Sequence, residues 1–106
     1  MIRVTFYRNA TGRICGFEMA DHADTRVCAA ISALAINTAN SIEKLTDAAI
    51  SVQYDEKGGY LKFELPDIKS GNVCEKADIL LESLELGVTS IAEQYKRQIK
   101  IIYISV

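Results

Sequence analysis

The segment VCEKADILLESLELGVTSIAEQY, from Val73 to Tyr95, has the most regular hydrophobic pattern in the chain. Apolar residues recur in it at spacings of three and four, which predicts an amphipathic helix with one face toward a core. This stripe consists of Val73, Ala77, Leu80, Leu84, Val88, Ile91 and Tyr95. Gly87 interrupts the segment, and a glycine inside a helix costs roughly 1 kcal/mol relative to alanine. We therefore expect close packing or a bend at Gly87.

The flanking sequence predicts strands and a second helix. Residues 2–7, 13–20, 49–54 and 60–65 alternate or are flanked by turn residues, as hairpin strands do. Pro66 ends the fourth strand, and residues 67–72 are expected to form a loop. Residues 99–106 are apolar at nearly every position, which is typical of a central strand or of one covered by a partner. An alanine-rich helix is predicted for residues 27–45, with Asp24 or Thr25 as its N-cap.

This order of elements, ββαββαβ, predicts an α+β fold. Hairpins give antiparallel pairs, so we expect two layers, an antiparallel sheet of about five strands with two helices on one face. Residues 1–106 would form a single domain. The other face of the sheet would be apolar, and such a patch predicts a homodimer. The residues expected there are Tyr7, Phe17, Met19, Tyr60 and Tyr103.

Composition excludes several classes of protein. Hydrophobic residues make up 49% and charged residues 25% of the 106 residues, as in a globular protein. The net charge is −2 with no basic cluster, so nucleic-acid binding is not expected. The chain starts with a strand-like pattern instead of a leader, and no apolar run is long enough to span a membrane. A cytoplasmic location is therefore expected. The three cysteines, which include no CxxC pair, do not make a disulfide framework and would be free thiols in that reducing compartment.

The only histidine precedes a cysteine at the predicted start of the first helix. His22 and Cys28 are separated by five residues. The N-terminus of a helix favours the ionised thiolate, and a nearby imidazole can exchange protons with it. Cys28 is therefore the candidate nucleophile and His22 its partner, with the backbone N–H groups of Cys28 and Ala29 as candidate oxyanion donors. A free cysteine is also often a small core residue, and a lone histidine is often a surface residue.

Neighbouring residues could support this pair. Ser32 follows Cys28 by four residues, on the same helix face, and could bind the thiol, the loop or a substrate, or bond back to the Cys28 carbonyl. Asp24 is favoured as the helix cap, with orientation of His22 as the alternative. Cys15 and Cys74 are interpreted as structural or incidental. The spacing of the histidine and cysteines matches no zinc signature, so neither a metal nor another cofactor is predicted.

The chain resembles the ribosomal-processing cysteine proteases called Prp over essentially its whole length. The similarity lies in MIRV from Met1, GFEMADHA from Gly16, VCAAISAL from Val27 and GYLKF from Gly59. Its most specific part is a histidine–alanine pair followed by V-C-A-A-[IV]-S. Asp21 stands where the family usually has glycine, and the loop between histidine and cysteine is shorter than in many members. At such a hinge, Asp tolerates φ > 0 better than most residues do.

The resemblance implies an activity. Cys28 and His22 would be the catalytic pair, Ser32 would match the family's serine, and Asp21 would lie at the hinge of a mobile loop. The family removes a short N-terminal extension from a large-subunit ribosomal protein, the twenty-seventh, after an aromatic-rich segment, and its members are homodimers. The expected function is thus a cytoplasmic cysteine endopeptidase whose partner is that ribosomal protein precursor. The alternative is a non-catalytic homodimeric module that binds a peptide or a ribosomal partner.

Overall fold

A computed structural model describes residues 1–106 as five strands and three helices. Their order is β1 (Ile2–Arg8), β2 (Ile14–Ala20), α1 (Thr25–Leu45), β3 (Ser51–Tyr54), β4 (Tyr60–Glu64), α2 (Pro66–Lys69), α3 (Glu75–Gln94) and β5 (Ile99–Ser105). The predicted α+β class is confirmed. The prediction of two helices was wrong, because part of the expected loop forms a third, short helix, α2. Pro66 is its first residue, a position at which the missing N–H of proline costs no helix hydrogen bond.

The five strands form one mixed sheet in the order β3-β4-β2-β1-β5. β1–β2, β2–β4 and β3–β4 are antiparallel, whereas β5 pairs with β1 in parallel. An entirely antiparallel sheet was therefore the wrong prediction. β5 reaches β1 through a helical crossover instead of a tight turn, and a crossover returns the chain in parallel. β5 is also an edge strand, not a central one.

The helices cover one face of the sheet, and the core lies between the two layers. Cross-strand partners share a face, so the registers Val4–Met19, Phe6–Phe17 and Phe17–Phe63 place these side chains beneath the helices. Phe17 and Phe63 stack with ring centroids 5.2 Å apart. From above, α1 contributes Val27, Ile31, Ala35, Ala39 and Ile42, and α3 contributes Ala77, Leu81, Leu84 and Val88.

The other face of the sheet is more polar than predicted. Phe17 and Met19 are buried on the helix side, and Tyr103 also lies there, stacked on Phe6. Tyr7 and Tyr60 do lie on the open face, among the charged side chains of Arg3, Glu18, Lys62 and Glu64. The expected apolar patch was thus assigned to the wrong face for three of its five residues, because pairing with Val4 and Phe6 of β1 places Met19, Phe17 and Tyr103 on the helix side.

Close packing at Gly87 is confirmed. A Cβ at this position would lie 3.0 Å from Cδ1 of Leu34, so α1 and α3 approach each other closely here. No helix of the protein is both long and apolar enough to cross a bilayer.

Candidate active site

A groove of about 620 Å³ lies between α1 and the β3–β4 hairpin. The helix layer covers Phe63 of this hairpin but leaves Val52 and Tyr54 exposed and Leu61 partly exposed, and these three side chains line the groove. Cys28, His22 and Ser32 line it too. The structure therefore brings these three predicted site residues to one apolar cleft at the uncovered edge of the sheet.

Cys28 lies at the end of the first turn of α1. Asp24 is the N-cap, and its Oδ1 accepts a hydrogen bond of 2.9 Å from the Arg26 N–H. The Cys28 Sγ accepts from the Ala23 N–H at 3.2 Å, and the thiol donates to the Ala23 carbonyl at 3.4 Å. The Cys28 N–H itself donates to the Asp24 carbonyl at 2.9 Å, so it is not free for an oxyanion as expected. The Ala23 N–H is instead the backbone donor directed at the sulfur.

His22 is exposed, and its ring lies against the turn of the β3–β4 hairpin. A Cβ on Gly59 would be 2.5 Å from Nε2 and 2.9 Å from Cε1 of the imidazole. Gly59 also has φ +88°, in the left-handed region. Only glycine therefore allows the hairpin to approach the ring this closely. No hydrogen bond joins the imidazole to Cys28.

The loop between β2 and α1 is held by other elements at each of its residues. The Asp21 N–H donates to the Gly59 carbonyl at 3.1 Å, and the Met1 ammonium donates to the His22 carbonyl at 2.8 Å. The Ala23 N–H contacts the thiol, as described, and the Asp24 N–H donates to Oε1 of Gln98 at 2.8 Å. Neighbouring strands, hairpin and thiol thus define the backbone path from His22 to Cys28.

Asp21 adopts the conformation for which glycine is best suited. It is the only non-glycine residue with positive φ, at 71°. Its carboxylate pairs with Nε of Arg3 at 2.8 Å, and both side chains are about half exposed. An aspartate is among the few residues that enter this region readily. The geometry at the predicted hinge is therefore retained without glycine.

The remaining predicted residues differ in where they lie. The Ser32 hydroxyl lines the groove and makes no hydrogen bond within the protein, so it does not bond back to the Cys28 carbonyl. Asp24 caps α1 and makes no bond to His22, which agrees with the favoured interpretation. Ala29 is exposed in α1.

The other two cysteines lie apart from the groove. Cys15 is buried in β2, and this burial raises the pKa of its thiol. Cys74 is half-buried at the N-cap of α3. All three cysteines are free thiols, and no group of three His, Cys, Asp or Glu side chains is placed to hold a metal ion.

The β3–β4 hairpin is the part of the site that the sequence did not indicate. Lys57-Gly58-Gly59 predicted only a turn, and Tyr54 only a strand residue. The adjacent glycines, both with positive φ, were the available signal, because close backbone approach also favours glycine. What the turn approaches is His22, thirty-seven residues earlier in the chain.

Comparisons with known proteins find similar sequences and similar folds. The family model described as "Cysteine protease Prp" matches residues 1–100. The ribosomal processing cysteine protease Prp of Bacillus subtilis is 28% identical over 95% of this chain and 96% of its own length. A crystal structure of the essential Staphylococcus aureus Prp with a covalently linked product peptide superposes with a TM-score of 0.86, at 28% identity, covering 97% of this chain and 99% of that chain. The structure of SMU.848 from Streptococcus mutans gives 0.84 at 34% identity, covering 100% and 96%.

Proposed function

The chain belongs to the cysteine protease Prp family, and we propose that it removes the N-terminal extension of the twenty-seventh protein of the large ribosomal subunit. One observation carries this proposal. The thiol of Cys28, at the start of α1, and the imidazole of His22 open into the same groove, whose apolar walls suit an aromatic-rich peptide. The curated relatives are named for ribosomal processing, which supports the substrate.

The proposed reaction begins with attack of the Cys28 thiolate on the scissile carbonyl carbon, which forms a C–S bond and an oxyanion. The Ala23 N–H beside Sγ and the positive end of α1 stabilise that oxyanion. The Ala29 N–H, expected as a donor, lies one residue deeper in α1 than the bonded Cys28 N–H, so it is not free for this role. Protonated His22 gives its proton to the leaving amine as the C–N bond breaks. Water then attacks the thioester, His22 accepts a proton from that water, and the carboxylate product leaves as the thiolate is restored. The product peptide linked to the S. aureus relative supports covalent catalysis.

Proton transfer requires His22 to come within hydrogen-bonding distance of Cys28. Catalytic hydrogen bonds often tighten only when substrate is bound. We propose that a bound peptide displaces the imidazole from Gly59 toward the thiol and that Asp21, with its positive φ, is the hinge of this movement. Ser32, whose hydroxyl is unused in the groove, binds either the moved imidazole or the peptide backbone.

Cleavage of the extended ribosomal protein from the same cell tests the proposal. We expect wild type to remove the extension, and Cys28→Ala and His22→Ala to lower the rate by about a thousandfold or more. Cys74→Ala is the matched control, since Cys74 is also half-buried at the start of a helix but lies outside the groove. Cleavage that survives in Cys28→Ala would refute the mechanism. Binding without cleavage by wild type would favour the non-catalytic module.

Thiol reactivity gives a test that needs no substrate. With limiting alkylating agent near neutral pH, Cys28 should react before Cys15 and Cys74. Cys15 should lag furthest because it is buried and its pKa is raised, so its reaction should increase only as the pH rises. Peptide mapping by mass spectrometry measures the order, and equal rates at Cys28 and Cys74 would contradict an activated nucleophile.

We further propose a homodimer in the cytoplasm. β5 is an edge strand whose outer backbone groups are unpaired, and Tyr103, Ile104 and Val106 are exposed along it. Pairing of two β5 edges would continue the sheet and cover these side chains. Three free thiols suit a reducing compartment. Light scattering should give twice the monomer mass, and Ile104→Lys should return it to the monomer mass.

A further inference from the structure

The groove continues well beyond the thiol and changes character along its length. From Cys28 it follows α1 past the apolar Ile36 and Ala39 to Asn40 and Glu43. Glu43 lies fifteen residues after Cys28 in a continuous helix. At 1.5 Å per residue, this separates the two positions by about 22 Å. An extended peptide rising about 3.3 Å per residue would cover that distance with six or seven residues.

The far end of the groove is polar and unpartnered. The Glu43 carboxylate takes part in none of the five ion pairs of the protein. The Asn40 amide, one turn earlier on the same face, makes no side-chain hydrogen bond either. Two exposed acceptor side chains therefore line the end of a cleft whose middle is apolar.

Electrostatics at this end favour a cation. Glu43 lies in the last turn of α1, where the free carbonyl groups give the helix its negative end. Lys44 lies in the same turn but does not line the groove, and no lysine or arginine does. Cys28 lies near the N-terminus of α1 and Glu43 near its C-terminus, so the helix dipole favours an anion at the first end of the groove and a cation at the second.

We propose that Glu43 and Asn40 form a distal subsite for a lysine or arginine side chain of the substrate. This proposal rests on the proposed function, in which the aromatic segment before the cut fills the apolar middle of the groove. The basic residue would then lie six or seven positions upstream of the scissile bond. Glu43 is thus a specificity-determining residue that touches substrate away from the chemistry.

A charge scan of the substrate tests this subsite. The probe is a peptide that copies the extension and the first residues after the cut, with Lys, Gln or Glu placed singly at positions three to nine upstream. For wild type we expect kcat/KM to be about threefold higher with Lys than with Gln at positions six or seven only, since an exposed ion pair contributes little. This preference for Lys should fall at 0.5 M salt, because the Debye length is then about threefold to fourfold shorter than in dilute buffer.

Variants separate the subsite from general effects of charge. Glu43→Gln should abolish the Lys preference, and Glu43→Lys should reverse it in favour of Glu. Glu93→Gln is the matched control, because Glu93 is an exposed carboxylate in the last turn of α3, outside the groove, and should keep the preference. A preference that is absent in wild type, or retained in Glu43→Gln, overturns the proposal.

Failure of the proposed function has a different signature. If wild type cleaves none of these peptides, the same fluorescein-labelled series is bound to Cys28→Ala, with and without Glu43→Gln, and followed by anisotropy. A Lys preference in binding that Glu43→Gln removes supports the subsite without the protease activity. Equal binding of the Lys, Gln and Glu peptides overturns the subsite as well.

Discussion

The face of the sheet that carries the helices has a covered part and an uncovered part, and the two differ in role. β1 and β2 lie beneath α1 and α3, and their side chains there, such as Val4, Phe6 and Phe17, are fully buried. The β3–β4 hairpin extends beyond the helices, and Val52 and Tyr54 on the same surface remain exposed. Two helices do not cover five strands, and the uncovered remainder is one wall of the groove.

The covered part of the sheet is therefore expected to determine stability, and the uncovered part is expected to determine catalysis. The covered part supplies the apolar burial that holds the fold together. The uncovered part places its turn against His22 and its side chains in the groove. Substitutions in the first should therefore change the free energy of unfolding, and substitutions in the second should change catalysis.

The largest effect on stability is expected at Phe17. Its ring is completely buried and stacked on Phe63, so Phe17→Ala should lower the free energy of unfolding by about 3–5 kcal/mol. Tyr54→Ala, in the uncovered part, should change it by no more than about 0.5 kcal/mol, because this side chain is 67% exposed. Urea denaturation of both variants measures the contrast. Similar losses in the two would show that the hairpin shares the core's role.

Gly59→Ala should have the largest effect on catalysis within the uncovered part. The new Cβ would overlap the resting His22 ring and displace the turn whose Gly59 carbonyl holds the Asp21 N–H at the proposed hinge. Misplacement of a catalytic group by about 1 Å can cost a hundredfold in rate, so we expect a similar loss in kcat/KM. Gly58→Ala is the matched control, since it has the same positive φ but open space around it. Equal activity of the two variants would exclude a role for the Gly59–His22 contact.

A smaller effect is expected at the hinge. Asp21→Ala places an ordinary side chain at φ 71° and should lower stability by about 1 kcal/mol. Asp21→Asn keeps a residue that tolerates this conformation and loses only an exposed ion pair, so the loss should stay below about 0.5 kcal/mol. Thermal unfolding ranks the variants. If Asn costs as much as Ala, the ion pair rather than the backbone conformation is responsible.

The smallest effect is expected at Gly87, in the covered part. Gly87→Ala gains roughly 1 kcal/mol of helix propensity, but its Cβ would meet the flexible end of Leu34 at 3.0 Å. The two effects oppose each other, so the net change should lie within about 0.5 kcal/mol. A loss above about 2 kcal/mol on urea denaturation would mean that α1 and α3 cannot adjust here.

The sequence predicted local structure well where the pattern was repetitive. The period of residues 73–95 identified α3, and the sequence narrowed the cap of α1 to Asp24 or Thr25, of which Asp24 is the cap. The sequence predicted less well which side chains of a strand face the helices. In β5 nearly every residue is apolar, so nothing in its pattern distinguishes a central strand from an edge strand or one face from the other.

The sequence by itself determined which candidate catalytic groups the chain contains. The only histidine, a cysteine six residues later at a helix start and the short loop between them follow from local spacing and helix polarity. Only the tertiary structure decided what surrounds them. The Ala23 N–H at the sulfur, Gly59 against the imidazole and the groove toward Glu43 depend on how the loop folds and on where the hairpin and α1 meet. Contacts between residues far apart in sequence depend on sheet order and helix coverage, and neither leaves a periodic signal in the chain.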